Sequence, residues 1–220
     1  MIDIRICEKL KKVCPQMTLG CIQANVCVEN SSHELWQEIN NYCDNVKKEI
    51  QIEELAKLSK INDGRQVYKK LGKVPSKYRL SSEALIRRIL QGKGVYKINN
   101  VVDINNLISL KSLYCIGSYD IDKLKQPVIL EIGKPGDEYK GIGKGIINVE
   151  SIPVFCDQLG NFGSPTSDST RAMIKEETTN IFMIIISFSG KENIESYMEY
   201  AKEKLEKYAK AIKVECRVVI

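Results

Sequence analysis

The segment Gly160-Asn-Phe-Gly163-Ser-Pro-Thr-Ser-Asp-Ser-Thr-Arg171 carries the densest set of chemically useful side chains in the sequence. Ser164, Thr166, Ser167, Asp168, Ser169 and Arg171 fall within eight positions. Hydroxyls, one carboxylate and backbone amides freed by glycine suit the binding of an amino acid or the polarisation of an ester carbonyl. The same composition describes a turn satisfied by its own side chains, and the residues alone do not separate the two readings. The one histidine, His33, stands among polar residues at a helix start, so no Ser-His-Asp or Cys-His site can be built away from it. Chemistry elsewhere must use carboxylates, hydroxyls, lysines, backbone amides or groups of the substrate.

Three further patterns bear on binding. Asn99, Asn100, Asp103, Asn105 and Asn106 cluster at one helix entry, more than a cap requires, and read as a polar pocket rim or as an elaborated cap. Gly141-Ile-Gly143-Lys-Gly145 lacks the spacing of a dinucleotide fingerprint or a P-loop and reads as a turn between strands. Arg65, Lys69, Lys70, Lys73, Lys77, Arg79, Arg87, Arg88, Lys93 and Lys97 form a basic run with Glu83 as the acid among them. Such a run is the footprint expected for a polyanion, or a solvated face balanced by the acidic stretch 49–54. Tyr68, Tyr78 and Tyr96 interleave with it, as base-stacking residues or as core and rim residues.

The 220 residues are 43% apolar and 28% charged, with a net charge of +5, ordinary for a globular chain read as one domain over 1–220. The eight cysteines contain no C-x-x-C pair, so neither a metal knuckle nor a disulfide framework is expected. Asp3, Arg5, Glu8 and Lys9 within the first ten residues are unlike a secretory leader. The longest apolar run, Ile181 to Ile186, reads as a buried strand instead of a membrane span. A reducing cytoplasm follows as the expected setting.

The elements that must position these residues mix strands and helices without βαβ alternation, which predicts an α+β fold of layered sheet and helix. Expected helices run over 4–13, 33–58 (capped through Ser31 and Glu34), 65–71, from Ser81 or Ser82 to Gly92, from Asn99 or Asn100 onward, and 194–212. Expected strands run over 18–28, 113–119, 128–132, 146–149, 153–156, 179–189 and 214–220. Asn62-Asp63-Gly64 reads as a turn, Gly133-Lys-Pro-Gly136 as a hairpin turn and 160–170 as a loop.

Several of these stretches resemble a known family in order. Asn99-Asn-Val-Val-Asp-Ile-Asn-Asn106 resembles the Asn-Asn-Val-Val-Asp-Val-Thr-Asn motif of the editing domain (the B three/B four module) of the phenylalanyl-tRNA synthetase beta subunit. Ile116-Gly-Ser-Tyr-Asp-Ile-Asp-Lys-Leu124 is similar to that domain's Leu-His-Ala-Phe-Asp-Leu-Asp-Lys-Leu. The segment 160–169 falls at its glycine-rich loop and 178–188 at its following strand. Arg65 to Arg79 and Gly163 to Ser169 look like free-standing members of the family. The resemblance implies that family's layered α+β fold over about 65–190, with helices added at both ends. It also implies no cofactor and no metal, and a pocket for the aminoacylated 3′ end of tRNA. Gly117 stands where the family has its editing-site histidine, so an amino acid other than tyrosine, or a lost activity, is compatible with the sequence.

Two readings follow. In the first the protein hydrolyses mischarged tRNA. Ser164, Thr166 and Asp168 are then the candidate catalytic residues, and Asn100, Asp103, Asn106, Gly117, Gly163, Ser167 and Arg171 contact the substrate. Lys69, Lys70, Lys73, Lys77, Arg79, Arg87 and Arg88 bind the tRNA. In the second it binds tRNA or an amino acid without catalysis. A homo-oligomer is compatible with either, and no membrane partner is expected.

Overall fold

The computed structural model describes residues 1–220. In chain order its elements are β1 (Ile4–Ile6), α1 (Glu8–Val13), β2 (Thr18–Asn25), α2 (His33–Glu49), α3 (Ser59–Lys70), α4 (Ser81–Leu90), α5 (Asn100–Ser112), β3 (Cys115–Asp120), β4 (Val128–Ile132), β5 (Glu138–Lys140), β6 (Ile146–Asn148), β7 (Pro153–Asp157), β8 (Gly160–Gly163), β9 (Asn180–Ser187), α6 (Ile194–Ala209) and β10 (Ile212–Val219). There are two four-stranded sheets, ordered β1-β4-β7-β8 and β10-β2-β9-β3, and a separate small β5-β6 hairpin.

Strand β9 explains the layering. Ile181, Met183 and Ile185 enter one core with α2, α4, α5 and α6, while Phe182, Ile184 and Ile186 enter a second core with the other sheet. A strand buried on both faces needs a continuous apolar run instead of alternation. The β10-β2-β9-β3 sheet is therefore the middle layer of an α+β sandwich, with helices on one side and the second sheet on the other. Strand β2 lies inside that sheet, pairing β9 and β10, so the N-terminal residues are integral to it. Gly20 on β2 lets α6 come close, since a Cβ there would stand 2.8 Å from Met198 Sδ. No helix is long and apolar enough to cross a membrane.

Several local expectations are corrected. Residues 4–6 form a strand paired in parallel with β4, and helix begins only at Glu8. Helix α2 ends at Glu49, well before residue 58, and its cap is Ser32, whose hydroxyl accepts from Leu35 N. Ser31 instead turns inward to Asp103. The Asn62-Asp63-Gly64 turn is absent: these residues lie in α3, where Gly64 packs so closely under its neighbours that a Cβ would clash with Leu80 at 2.6 Å and press on the Phe188 ring at 3.0 Å. Tertiary contact overrides the local turn signal there. Neither Ser81 nor Ser82 caps α4, whose first turn follows Leu80. The turn at 133–136 does not make β4 and β5 a hairpin, because β4 pairs with β1 and β7. The first four residues of the 160–170 loop form β8.

Candidate active site

Strand β3 is the edge of the middle sheet, and its alternation sends Cys115 and Tyr119 between the sheets while Ile116 joins the helix-side core. The loop after β8 reaches Tyr119 and delivers Asp168. Tyr119, buried against Phe155 and Phe162, donates its hydroxyl to Asp168 Oδ1 at 2.7 Å. Burial pushes the Asp168 carboxyl up from its usual 3.8 to about 7, outweighing the Tyr119 hydroxyl, the Ser164 backbone and the Lys144 charge, which favour ionisation. That is the range in which a carboxylate serves as a general base near neutrality.

Asp168 lines two adjoining cavities, of about 280 Å³ and about 290 Å³, that share Val102 and Asn105 as walls. The first is completed by Ser81, Arg88, Tyr96, Asn106, Ser109 and Ile116, among others. The second is completed by Ile98, Ser118, Ile142, Met173 and Ile174. Asn105 accepts a hydrogen bond from Ser118 Oγ at 2.9 Å, which leaves its amide N–H groups for a ligand. A wider groove along α6 is lined by Lys111, Tyr197, Glu199 and Tyr200, and no buried carboxylate faces it.

The candidate catalytic triplet is split. Ser164 is buried and its hydroxyl is spent on the loop: it donates to the Ser167 carbonyl at 2.8 Å and accepts from the Thr166 and Ser167 amides. Tyr139, on β5, donates to the same Ser167 carbonyl at 2.5 Å. Thr166 shares a 2.9 Å hydrogen bond with the hydroxyl of Tyr68, which is fully buried and so is no platform for a base. Ser164, Thr166 and Ser167 thus set the loop, and of the three catalytic candidates Asp168 is the one that faces the cavities.

The substrate-contact candidates separate in the same way. Asn100 donates to the carbonyls of Cys27 and Tyr208 at 2.9 Å and accepts from Glu29 N at 3.1 Å. Asp103 accepts from Ser31 Oγ at 2.5 Å, Trp36 Nε1 at 3.0 Å and Ile98 N at 3.1 Å. Burial raises its carboxyl, opposed by those three donors. Both tie α5 to its neighbours and line neither cavity. Arg171 grips Asp157 with two N–H groups at 3.1 and 2.9 Å and lies over the Phe162 ring, also outside both cavities. Asn106 does line the first cavity.

Gly117 and Gly163 share one task. A Cβ on either would collide with the Tyr119 hydroxyl, and a Cβ on Gly163 would also approach Asp168 Oδ1 to 2.8 Å. The space at Gly117 is therefore filled by the hydroxyl of a residue two positions along the same strand face. Sequence reading singled out Gly117 and passed over Tyr119; the shared face at i and i+2 was the available signal.

The basic run is shaped by Glu83, which is fully buried. Arg65 pairs with it at 3.0 Å, and Arg79 and Arg87 approach to 3.6 Å. Arg88 lies over the Tyr96 ring, 3.7 Å from its centroid, at the first cavity. Lys69 and Lys77 are exposed, Lys73 sits over Tyr78, and Lys70 reaches the Val13 carbonyl at 3.4 Å.

With this geometry in place, comparison with known proteins gives the class. The B3/4 domain family matches residues 63–215, most of the chain, and the protein belongs to that family. No curated protein matches the sequence. Among solved structures, an N-terminal fragment of the phenylalanyl-tRNA synthetase beta subunit from Pyrococcus horikoshii is similar, with a TM-score of 0.49 and 13% identity. The match covers 99% of this chain and 50% of that fragment, so the chain spans about half the length of the relative it matches.

Proposed function

We propose that this protein binds tRNA and hydrolyses an aminoacyl ester at its 3′ end, with Asp168 as the general base. The observation that carries this reading is the position of Asp168: a carboxylate held by Tyr119 on the shared wall of two cavities, with a pKa near 7. Family membership and the resemblance to an editing domain supply the substrate class. Asp168 takes a proton from water, the resulting hydroxide adds to the ester carbonyl carbon, and the carbonyl oxygen becomes an oxyanion. The Asn105 amide is the nearby side-chain donor suited to that charge; removing a donor of this kind typically costs about 10²–10³ in rate. When the carbon–oxygen bond to the ribose breaks, the leaving hydroxyl takes the proton back from Asp168.

The loss of the family histidine at position 117 does not count against catalysis here. Tyr119 occupies that space and holds a different base. Arg88 and Tyr96 at the first cavity suit a terminal nucleotide, one by charge and the other by stacking. Lys69, Lys70, Lys73, Lys77, Arg79 and Arg87 are assigned to the phosphates that follow.

The test is deacylation of a panel of mischarged tRNAs by purified protein at matched salt. Rapid loss of one aminoacyl species with correct pairings spared is the expected result. Stable aminoacyl-tRNA across the panel, with tRNA still bound, would leave a binding module. A salt-independent affinity would remove tRNA as the ligand.

A further inference from the structure

The glycine-rich segment 141–145, the tip of the β5-β6 hairpin, supplies no group to the bond-making steps above apart from the Lys144 charge near Asp168, yet it is built against the site. Ile142 N donates to the Asp168 carbonyl at 3.0 Å, and Gly141 bridges to Ser169. Gly143 has φ of 64°, which lets the tip turn, and a Cβ on Gly141 would collide with Ile147 inside the hairpin. The hairpin is thus pinned to the Asp168 loop and holds Ile142 over the second cavity.

Ile142 is 44% exposed, and Ile98, entering from the segment before α5, is 54% exposed. Both line the same cavity, whose remaining walls include Val102, Met173 and Ile174. Two large aliphatic side chains left half in water around one concave space are a cost unless something apolar covers them. Charged side chains are absent from the lining except Asp168 itself, and the Ser118 hydroxyl is spent on Asn105 Oδ1, which leaves the Asn105 amide N–H groups as the free polar donors, at the wall shared with the first cavity.

We propose that this second cavity receives the side chain of an apolar amino acid, aliphatic or phenyl, with Ile98 and Ile142 closing on it from opposite elements. The first cavity, with Arg88 and Tyr96, then takes the nucleotide, and the ester lies at the shared wall beside Asp168 and Asn105. This assignment rests on the proposed aminoacyl-ester reading and adds to it the substrate's side-chain class. The glycine-rich tip becomes a specificity element that carries Ile142, and it binds no phosphate.

The experiment measures binding apart from hydrolysis. Adenosines carrying leucyl, phenylalanyl, alanyl, aspartyl or lysyl groups through a 3′ amide are titrated calorimetrically into wild-type protein, Ile98→Ser and Ile142→Ser. Both substitutions fall on exposed side chains, so the fold is retained. The wild type should bind the leucyl or phenylalanyl compound about tenfold or more tighter than the alanyl one, since a single methylene group in a hydrophobic pocket already gives about tenfold and these side chains exceed alanyl by more than that. Each variant should lose most of that preference while binding the alanyl compound unchanged. Equal affinity across the series, a preference unmoved by both variants, or no binding at all would overturn the assignment. A side-chain preference in a protein that hydrolyses no ester would instead retire the catalytic reading and leave the chamber in place.

Discussion

Replacing Asp168 with asparagine should change how stability depends on pH. The folded protein holds the Asp168 proton up to about pH 7, whereas the unfolded chain releases it near the usual 3.8. Between those values the folded state binds more protons than the unfolded one, so stability falls as pH rises. The contribution is complete below about pH 4 and is lost as pH passes through about 7. At about 1.36 kcal/mol for each tenfold change in the proton equilibrium, the full loss is about 4 kcal/mol. Asparagine keeps a carbonyl oxygen for the Tyr119 hydroxyl but cannot ionise. Urea unfolding of both proteins from pH 4 to pH 8.5 isolates the effect, because every other titrating group is common to the pair. The wild type should lose stability relative to Asp168→Asn across that range, leaving the variant the more stable protein at pH 8. Parallel curves would mean that the carboxyl ionises freely, and the argument for a base poised near neutrality would fail.

Three other outcomes follow from the same cluster. Tyr119→Phe removes the hydroxyl that favours the Asp168 carboxylate, so the midpoint of the pH–rate profile should move to higher pH; an unmoved midpoint would reduce Tyr119 to a packing residue. Gly117→Ala should destabilise by about 1–3 kcal/mol through overpacking against the Tyr119 hydroxyl and ring. In a Tyr119→Phe background that cost should shrink without vanishing, since ring carbons at 2.6 and 2.9 Å remain, and a double-mutant cycle in urea measures the coupling. Ser164→Ala strips the loop of a buried hydroxyl with several partners and should cost about 1–3 kcal/mol, yet leave the pH–rate midpoint where it was; a lost pH dependence would return Ser164 to the chemistry.

Some of this was legible from residue types alone. The unbroken apolar run 181–186 marked a buried strand, and the cap of α5 was readable as Asn99 or Asn100; it is Asn99, whose side chain accepts from Val102 N at 2.9 Å. The loop at 160–171 stood out by composition, and Asp168 within it. What separates Asp168 from Ser164 and Thr166 was not legible, because it depends on Tyr68, Tyr119 and Tyr139, which arrive from elements far apart in the chain. Asn100 and Asp103 carried the motif that identified the family, yet they serve the architecture of α5. Asn105 and Asn106 were legible as members of the polar cluster at the α5 entry, and they line the first cavity; Ile98 and Ile142 have no local signature, and their roles come from tertiary proximity. The turn expected at 62–64 failed for the same reason, since Gly64 is glycine to admit Leu80 and Phe188 to a helix.

The most direct test of the central claim is single-turnover deacylation of the preferred mischarged tRNA by wild-type protein and Asp168→Asn. The wild type should clear the ester with a rate that rises through about pH 7, and the variant should be slower by about 10²–10⁴, the range of a general base. Equal rates in the two proteins, or a wild-type rate no faster than buffer, would contradict it.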